Sequence, residues 1–124
     1  MCLTSTRRFA KRAKENIVCY KILLKDDEDN YFAPYRDNIV DINKPYKAKG
    51  ISLSLLNWNE KGKGYIHTLS CIPDKSWLSE WDNPVVFRCI IPKGTKYHKG
   101  NYNDYCSKKI IFKEKIPSYI IYND

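Results

Sequence analysis

Several stretches of the chain arrange apolar residues as strands do. NIVCYKILLK sets Val18, Tyr20, Ile22 and Leu24 on one face, with Cys19 and Lys21 on the other. PVVFRCII sets Val85, Phe87, Cys89 and Ile91 on one face. ISLSLLNW alternates with Ile51, Leu53 and Leu55 inward, and GYIHTLSCI follows it after NEKGKG, whose Gly62 and Gly64 suit the loop of a hairpin. KKIIFKEK adds a further strand, and the ending SYIIY completes the pattern. The acidic turn-formers DDEDN predict a reversal into a shorter strand at YFAPY, while Pro34 and Pro45 confine residues 31 to 49 to an edge or to loops. Asp74 can cap one short helix, about 74 to 81, with Trp77, Leu78 and Trp81 sharing a face. Ile91, Pro92, Lys93 and Gly94 fit the preferences of a type I turn. The elements together predict a compact α+β fold with a mainly antiparallel sheet.

A chain of 124 residues supports one core, and its 43% apolar content makes that core feasible. The formal charge of +8 is uneven: Arg7, Arg8, Lys11, Arg12 and Lys14 stand against Glu15 in residues 1 to 16 and supply half the excess. The expected organisation is therefore a basic N-terminal arm over 1 to 16, followed by a single domain over 17 to 124. An arm of this kind suits a phosphate-bearing partner or an acidic protein surface; a solvated terminus that aids solubility is the plainer reading. No window approaches the ~20 apolar residues of a membrane-spanning helix, and the opening MCLTSTRRFAKRAK lacks the apolar run of a secretory signal. A cytoplasmic location without membrane attachment is the expectation. Lysine outnumbers arginine 17 to 5, and Asn, Ile and Tyr are abundant, the usage of an AT-rich coding sequence such as that of many phages and low-GC bacteria.

The five cysteines, Cys2, Cys19, Cys71, Cys89 and Cys106, are odd in number and have no close pairs, so they read as reduced thiols, with Cys19 and Cys89 serving as small core residues. Zinc is not expected: Cys71, Cys89 and Cys106 lie 18 and 17 residues apart, and only His67 and His98 are present to assist. No cofactor is implied. Cys106 with His98 and Lys108 holds the parts of an activated thiol, although a cysteine leading into a strand is more often packing. His67 and His98 with Lys93 or Lys96 hold the parts of a metal-free ribonuclease. PKGTKYHKG offers a phosphate-holding loop: Gly94 and Gly100 admit backbone amides to an anion, Lys93, Lys96 and Lys99 add charge, and Tyr97 or Tyr102 can stack on a base. It is not a Walker-type loop, since GxxxxGK[ST] is absent, and an exposed turn with lysines for solubility stands beside it.

The opening MCL with its basic arm, then IVCYKILLK, GYIHTLS, VVFRCIIPKGTKYHKG and YCSKKIIFKEKI, resembles a group of small proteins of gut bacteria and their phages over most of residues 17 to 116. The order of these pieces is also similar, more distantly, to an ADP-ribosyltransferase fold. That resemblance implies Lys21 near the NAD-binding position of the first strand, His67, Thr68 and Ser70 at the Ser-Thr-Ser position, and Asp104 for the catalytic glutamate. Each position departs from the family's pattern, and the shorter Asp104 side chain reaches less far than a glutamate.

The leading expectation is a non-catalytic binding protein for an anion: a nucleotide, a nucleic acid or an acidic protein face. Interference with host defence suits the phage-like composition. Arg7, Arg8, Lys11 and Arg12 of the arm, with Lys93, Lys96, Tyr97, His98 and Lys99 of the turn, are the candidate anion-binding residues. The alternatives are a transferase-like or ribonuclease-like enzyme using His67, Thr68, Ser70, His98 and Asp104, and an interaction protein that oligomerises through an apolar patch around Trp58, Trp77 and Trp81.

Overall fold

The computed structural model describes residues 3–4, 11–32, 40–47, 60–61, 66–100 and 103–122. In chain order the strands are β1 (Leu3–Thr4), β2 (Lys11–Arg12), β3 (Ile17–Lys25), β4 (Tyr31–Phe32), β5 (Pro45–Lys47), β6 (Glu60–Lys61), β7 (Ile66–Leu69), β8 (Pro84–Ile91), β9 (Lys96–Lys99), β10 (Asp104–Ser107) and β11 (Lys109–Lys115). Two short helices, α1 (Lys75–Leu78) and α2 (Ser118–Tyr122), complete the set. One sheet runs β2-β9-β10-β7-β3-β8-β11-β5, with β4 also paired to β3, and its described pairings are all antiparallel. β1 and β6 form a separate pair. The α+β class holds, with a second helix added.

β3 and β8 are the centre, in register from Ile17 opposite Ile91 to Leu24 opposite Pro84. Opposed residues of an antiparallel pair share a face, so Cys19, Leu23, Phe87, Cys89 and Ile91 point one way. They join Ile66, Ile110, Phe112, Val40 and Ala13 in the larger core. Ile22 and Val86 point the other way and meet Leu78, Ile116 and Ile121 beneath the two helices. Both strands are buried on both sides, which is why their sequences run almost continuously apolar. Of the two faces read from the first strand, Val18 is 48% exposed at the strand's start, whereas Cys19, expected as a core residue, is fully buried together with Leu23.

The sheet cannot be flat. β10 and β11 are four places apart in the strand order, which at ~4.8 Å per strand is about 19 Å, yet only Lys108 separates them in sequence. Two residues span at most about 7 Å. The sheet must therefore turn back on itself, and the larger core occupies the inside of the curl. Phe112 sits there edge-on to Tyr46 at 5.6 Å and to Phe87 at 6.1 Å between ring centroids. A slip in register between Phe112 and Glu114 kinks β11, and Arg88 forms an ion pair with Glu114 on the outer face beyond it.

Local chemistry sets the connections. The Asp26 carboxylate accepts from the amides of Glu28 and Asn30, both at 2.9 Å, and closes the acidic turn into β4, as the DDEDN pattern predicts. Its bond from the Asn30 amide is the main reason that Asp26 is held below the usual carboxylate range. Asp74 caps α1 through the Ser76 amide at 3.0 Å, but the helix has only four residues; Leu78 is buried and Trp81 half-buried, while Trp77 is 49% exposed. The shared face expected for the three thus holds for two. The ending SYIIY is helical instead of extended: the Ile120 amide donates to the Pro117 carbonyl at 3.1 Å, and only Ile121 turns inward. Proline suits a first helical turn because its missing N–H has no partner there in any case. Pro45 lies on an edge strand, as expected. The expected strand at 51–58 lies outside the described residues. No helix among the described residues is long and apolar enough to cross a membrane.

Truncating Phe112 to alanine should cost about 3–5 kcal/mol of stability through the cavity left inside the curl. Tyr119→Ala, at a side chain 68% exposed, should cost less than about 0.5 kcal/mol. Urea unfolding followed by tryptophan fluorescence measures both; equal midpoints would contradict the placement of the core.

Candidate anion-binding seam

The turn after β8 begins one residue later than the type I reading has it. The Thr95 amide donates to the Pro92 carbonyl at 3.1 Å, which makes Gly94 the third residue of the turn, and its φ of 88° is that of a type II turn. No atom lies within 4 Å of where a Cβ would stand, so glycine is favoured here by backbone conformation and not by crowding. Ala13 docks against this turn: its amide donates to the Thr95 carbonyl at 2.9 Å, and its carbonyl accepts from the Gly94 amide at 2.8 Å. The Lys93 amide donates to Asn16 Oδ1 at 2.9 Å. Lys11 and Arg12 therefore belong to the sheet, and Ala13 and Asn16 are docked on the turn beside it, so the last part of the segment expected as an arm over 1 to 16 packs against the domain.

This docking gathers cations from four parts of the chain. Arg12 stands opposite Lys96, and its Nη1 donates to the Gly94 carbonyl at 3.0 Å. The Lys108 amide donates to the Lys96 carbonyl at 3.2 Å, which brings the corner between β10 and β11 alongside. Lys109 stands opposite Lys47. Lys93 and Lys14 project from the adjoining loops and are exposed. Two directly opposed pairs of like charge thus lie on the outer face of the sheet, an arrangement that costs stability in the isolated chain. The ion pairs Lys25 with Asp29 and Arg88 with Glu114 do not draw on these groups.

The remaining candidates divide. Lys11 pairs with Tyr97 and is exposed beside the seam. Lys99 is exposed as well, but β9 carries it about 10 Å beyond Lys96. Tyr97 packs against the larger core, edge-on to Tyr105 at 6.0 Å, and so is not presented as a stacking platform. Burial, reinforced by Tyr97 and Cys19, pushes the Tyr105 phenol above its usual range. His98 is 1% exposed and leaves the surface set altogether. Arg7, Arg8 and Tyr102 lie outside the described residues. Lys47 and Lys109 were not singled out in the sequence, and Lys108 only as a neighbour of Cys106; their convergence depends on long-range register and on the curl.

The enzyme candidates are separated by strand alternation. Lys21, whose ammonium donates to the His67 carbonyl at 2.8 Å, lies with Thr68 on the core face, whereas His67 and Asp104 belong to the other face. Ser70 is tied to the Asn103 carbonyl through its amide at 2.8 Å and its hydroxyl at 3.0 Å, a clamp at the end of β7. His67 and His98 both stand opposite Cys106, one on each neighbouring strand, and this places them two strand spacings apart, roughly 10 Å. Among the described residues no three His, Cys, Asp or Glu side chains converge as a metal site.

Gly94→Ala should destabilise the protein by about 1 kcal/mol and loosen the docking of Ala13. Faster hydrogen exchange at the Ala13 amide, with the β8 amides unchanged, is the expected result; uniform protection would mean that the turn does not hold β2. No protein-family model, curated protein or solved structure matches the chain.

Proposed function

We propose that the protein is a non-catalytic binding module whose lysine-rich seam takes a polyanion, with the phosphate backbone of a nucleic acid as the best-suited partner. The observation that carries this reading is the pair of opposed like charges, Arg12 with Lys96 and Lys47 with Lys109, beside Lys14, Lys93 and Lys108. An anion bridging them relieves repulsion that the fold otherwise bears. The cluster is mostly lysine and mostly exposed, with Lys109 half-buried, which favours several phosphates met as point charges over one small anion held in a fork. The acidic turn Asp26–Asp29 lies at the far end of β3, about 26 Å away along nine residues. That distance is about three screening lengths at physiological salt, so the acidic turn does not cancel the seam. A phage-encoded role in interfering with host defence accords with the lysine-rich, AT-type composition.

The transferase-like reading gains nothing from a sheet that puts Lys21 and Thr68 on one face and His67 and Asp104 on the other. For the ribonuclease-like reading, the burial of His98 keeps one imidazole from the solvent.

Binding to a fluorescent oligonucleotide should weaken linearly on a log–log salt plot, and the variant Lys93→Gln/Lys96→Gln/Lys108→Gln should reduce the slope by up to about 3. A slope unchanged by the triple substitution would refute the seam as the site. Lys96→Glu should act in opposite directions on the two properties, raising the stability of the free protein by about 0.2–1 kcal/mol while abolishing binding. Chemical denaturation with a parallel binding titration tests this; loss of both properties would indicate that Lys96 is structural.

A further inference from the structure

We propose that Cys19 and Cys89 are a peroxide-oxidisable dithiol at the centre of the sheet, closing to a cross-strand disulfide. They stand directly opposite one another on β3 and β8, the two central strands, and both are fully buried. Opposed residues of an antiparallel pair have Cα atoms about 4.5 or 5.5 Å apart, depending on whether the pair is hydrogen-bonded, and both spacings fall within the range a disulfide accepts. The two thiols are within hydrogen-bonding contact, and Cys89 Sγ also lies 3.5 Å from the Phe87 carbonyl.

The surroundings make the two sulfurs unequal. Hydrogen bonding with Cys89 holds the Cys19 thiol below its usual range against the opposing effect of burial, and the Thr68 hydroxyl, the Lys21 charge and the Ile91 backbone act in the same direction. Cys89 is pushed up, first by its bond with Cys19 and then by burial. Lys21, two residues along β3 from Cys19 and on the same face, and Thr68 on the neighbouring strand place the cation and the hydroxyl beside Cys19, which makes it the attacking sulfur and Cys89 the resolving one. Burial excludes large disulfides such as oxidised glutathione as direct reactants and leaves hydrogen peroxide as the co-reactant of suitable size.

The chemistry balances in two steps. The Cys19 thiolate attacks one peroxide oxygen; the O–O bond breaks, the departing hydroxide takes a proton to become water, and Cys19 becomes a sulfenic acid. Cys89 then attacks the Cys19 sulfur; the S–S bond forms, the S–O bond breaks, and the departing hydroxide carries off the Cys89 proton as a second water. Two thiols and one peroxide give one disulfide and two waters, and an added dithiol reverses the change. Cys71 is exposed and is not opposed to a cysteine, so the test replaces it with serine to keep it from reacting in place of the buried pair.

The test treats folded Cys71→Ser protein with stoichiometric hydrogen peroxide, removes the excess with catalase, unfolds the protein, alkylates free thiols and maps the peptides by mass spectrometry. The expected product is a cross-linked species joining the Cys19 and Cys89 peptides, two hydrogen masses lighter than their sum, lost on dithiothreitol treatment and absent when the protein is unfolded before oxidation. Complete alkylation of both cysteines, or a cross-link from either to Cys106, would overturn the proposal. In Cys89→Ser protein, dimedone should label Cys19. A label on Cys106 alone would equally reject the assignment.

Discussion

One covalent constraint governs this fold: Lys108 alone joins two strands that are four places apart in the same sheet. A flat sheet would require that junction to stretch far beyond the length of the chain available. Curling satisfies it, and the larger core then has the sheet as its own wall, with Phe112, Phe87 and Leu23 turned inward. The helices close the second core from outside without having to span the molecule, which is why four and five residues are enough for them. The curl also explains how Arg12, Lys96, Lys108 and Lys109, up to 97 positions apart in a chain of 124, come to one place.

Interior and surface obey opposite electrostatic rules as a result. Inside, ionisable groups are few and mutually adjusted: Cys19 and Cys89 share a hydrogen-bonding contact, and Lys21 escapes full desolvation through the His67 carbonyl. Outside, like charges face each other across strand pairs, tolerated because solvent screens them. Charge is separated along β3, whose final residue Lys25 meets the acidic turn through Asp29 at 2.9 Å while its beginning adjoins the lysine-rich turn.

What the sequence made legible was local. The β-type runs at 17–25 and 84–91, the acidic reversal, the Asp74 cap and the buried role of Cys19 and Cys89 all follow from side-chain type and spacing, and all are present. Alternation along 17–25 separates two faces without saying which is inward, because a strand between two cores is buried on both, and Val18 at its start is exposed. The errors share a cause. The turn at Pro92 was read one residue early, since proline preference favours the second position whereas the positive φ required at Gly94 decides the matter. SYIIY looks extended by β-branched content, but with Pro117 before it and only one side chain to bury, a single helical turn is the better solution. The seam was half legible: Lys93 and Lys96 were visible as a basic turn, but Lys47 and Lys109 oppose each other only through a register that no local pattern encodes.

The margins of the sheet have a consequence of a different kind. β2 is two residues long and carries Lys11 and Arg12, and β5 is three residues long and begins with Pro45. A second molecule approaching either margin would gain only two or three main-chain hydrogen bonds and would have to bring its own cations against these. Polymerisation by strand addition is thereby discouraged at both ends. Selection at these few positions would then be expected to act on colloidal behaviour, and changes there could leave the folded monomer intact while altering how crowded solutions of it behave.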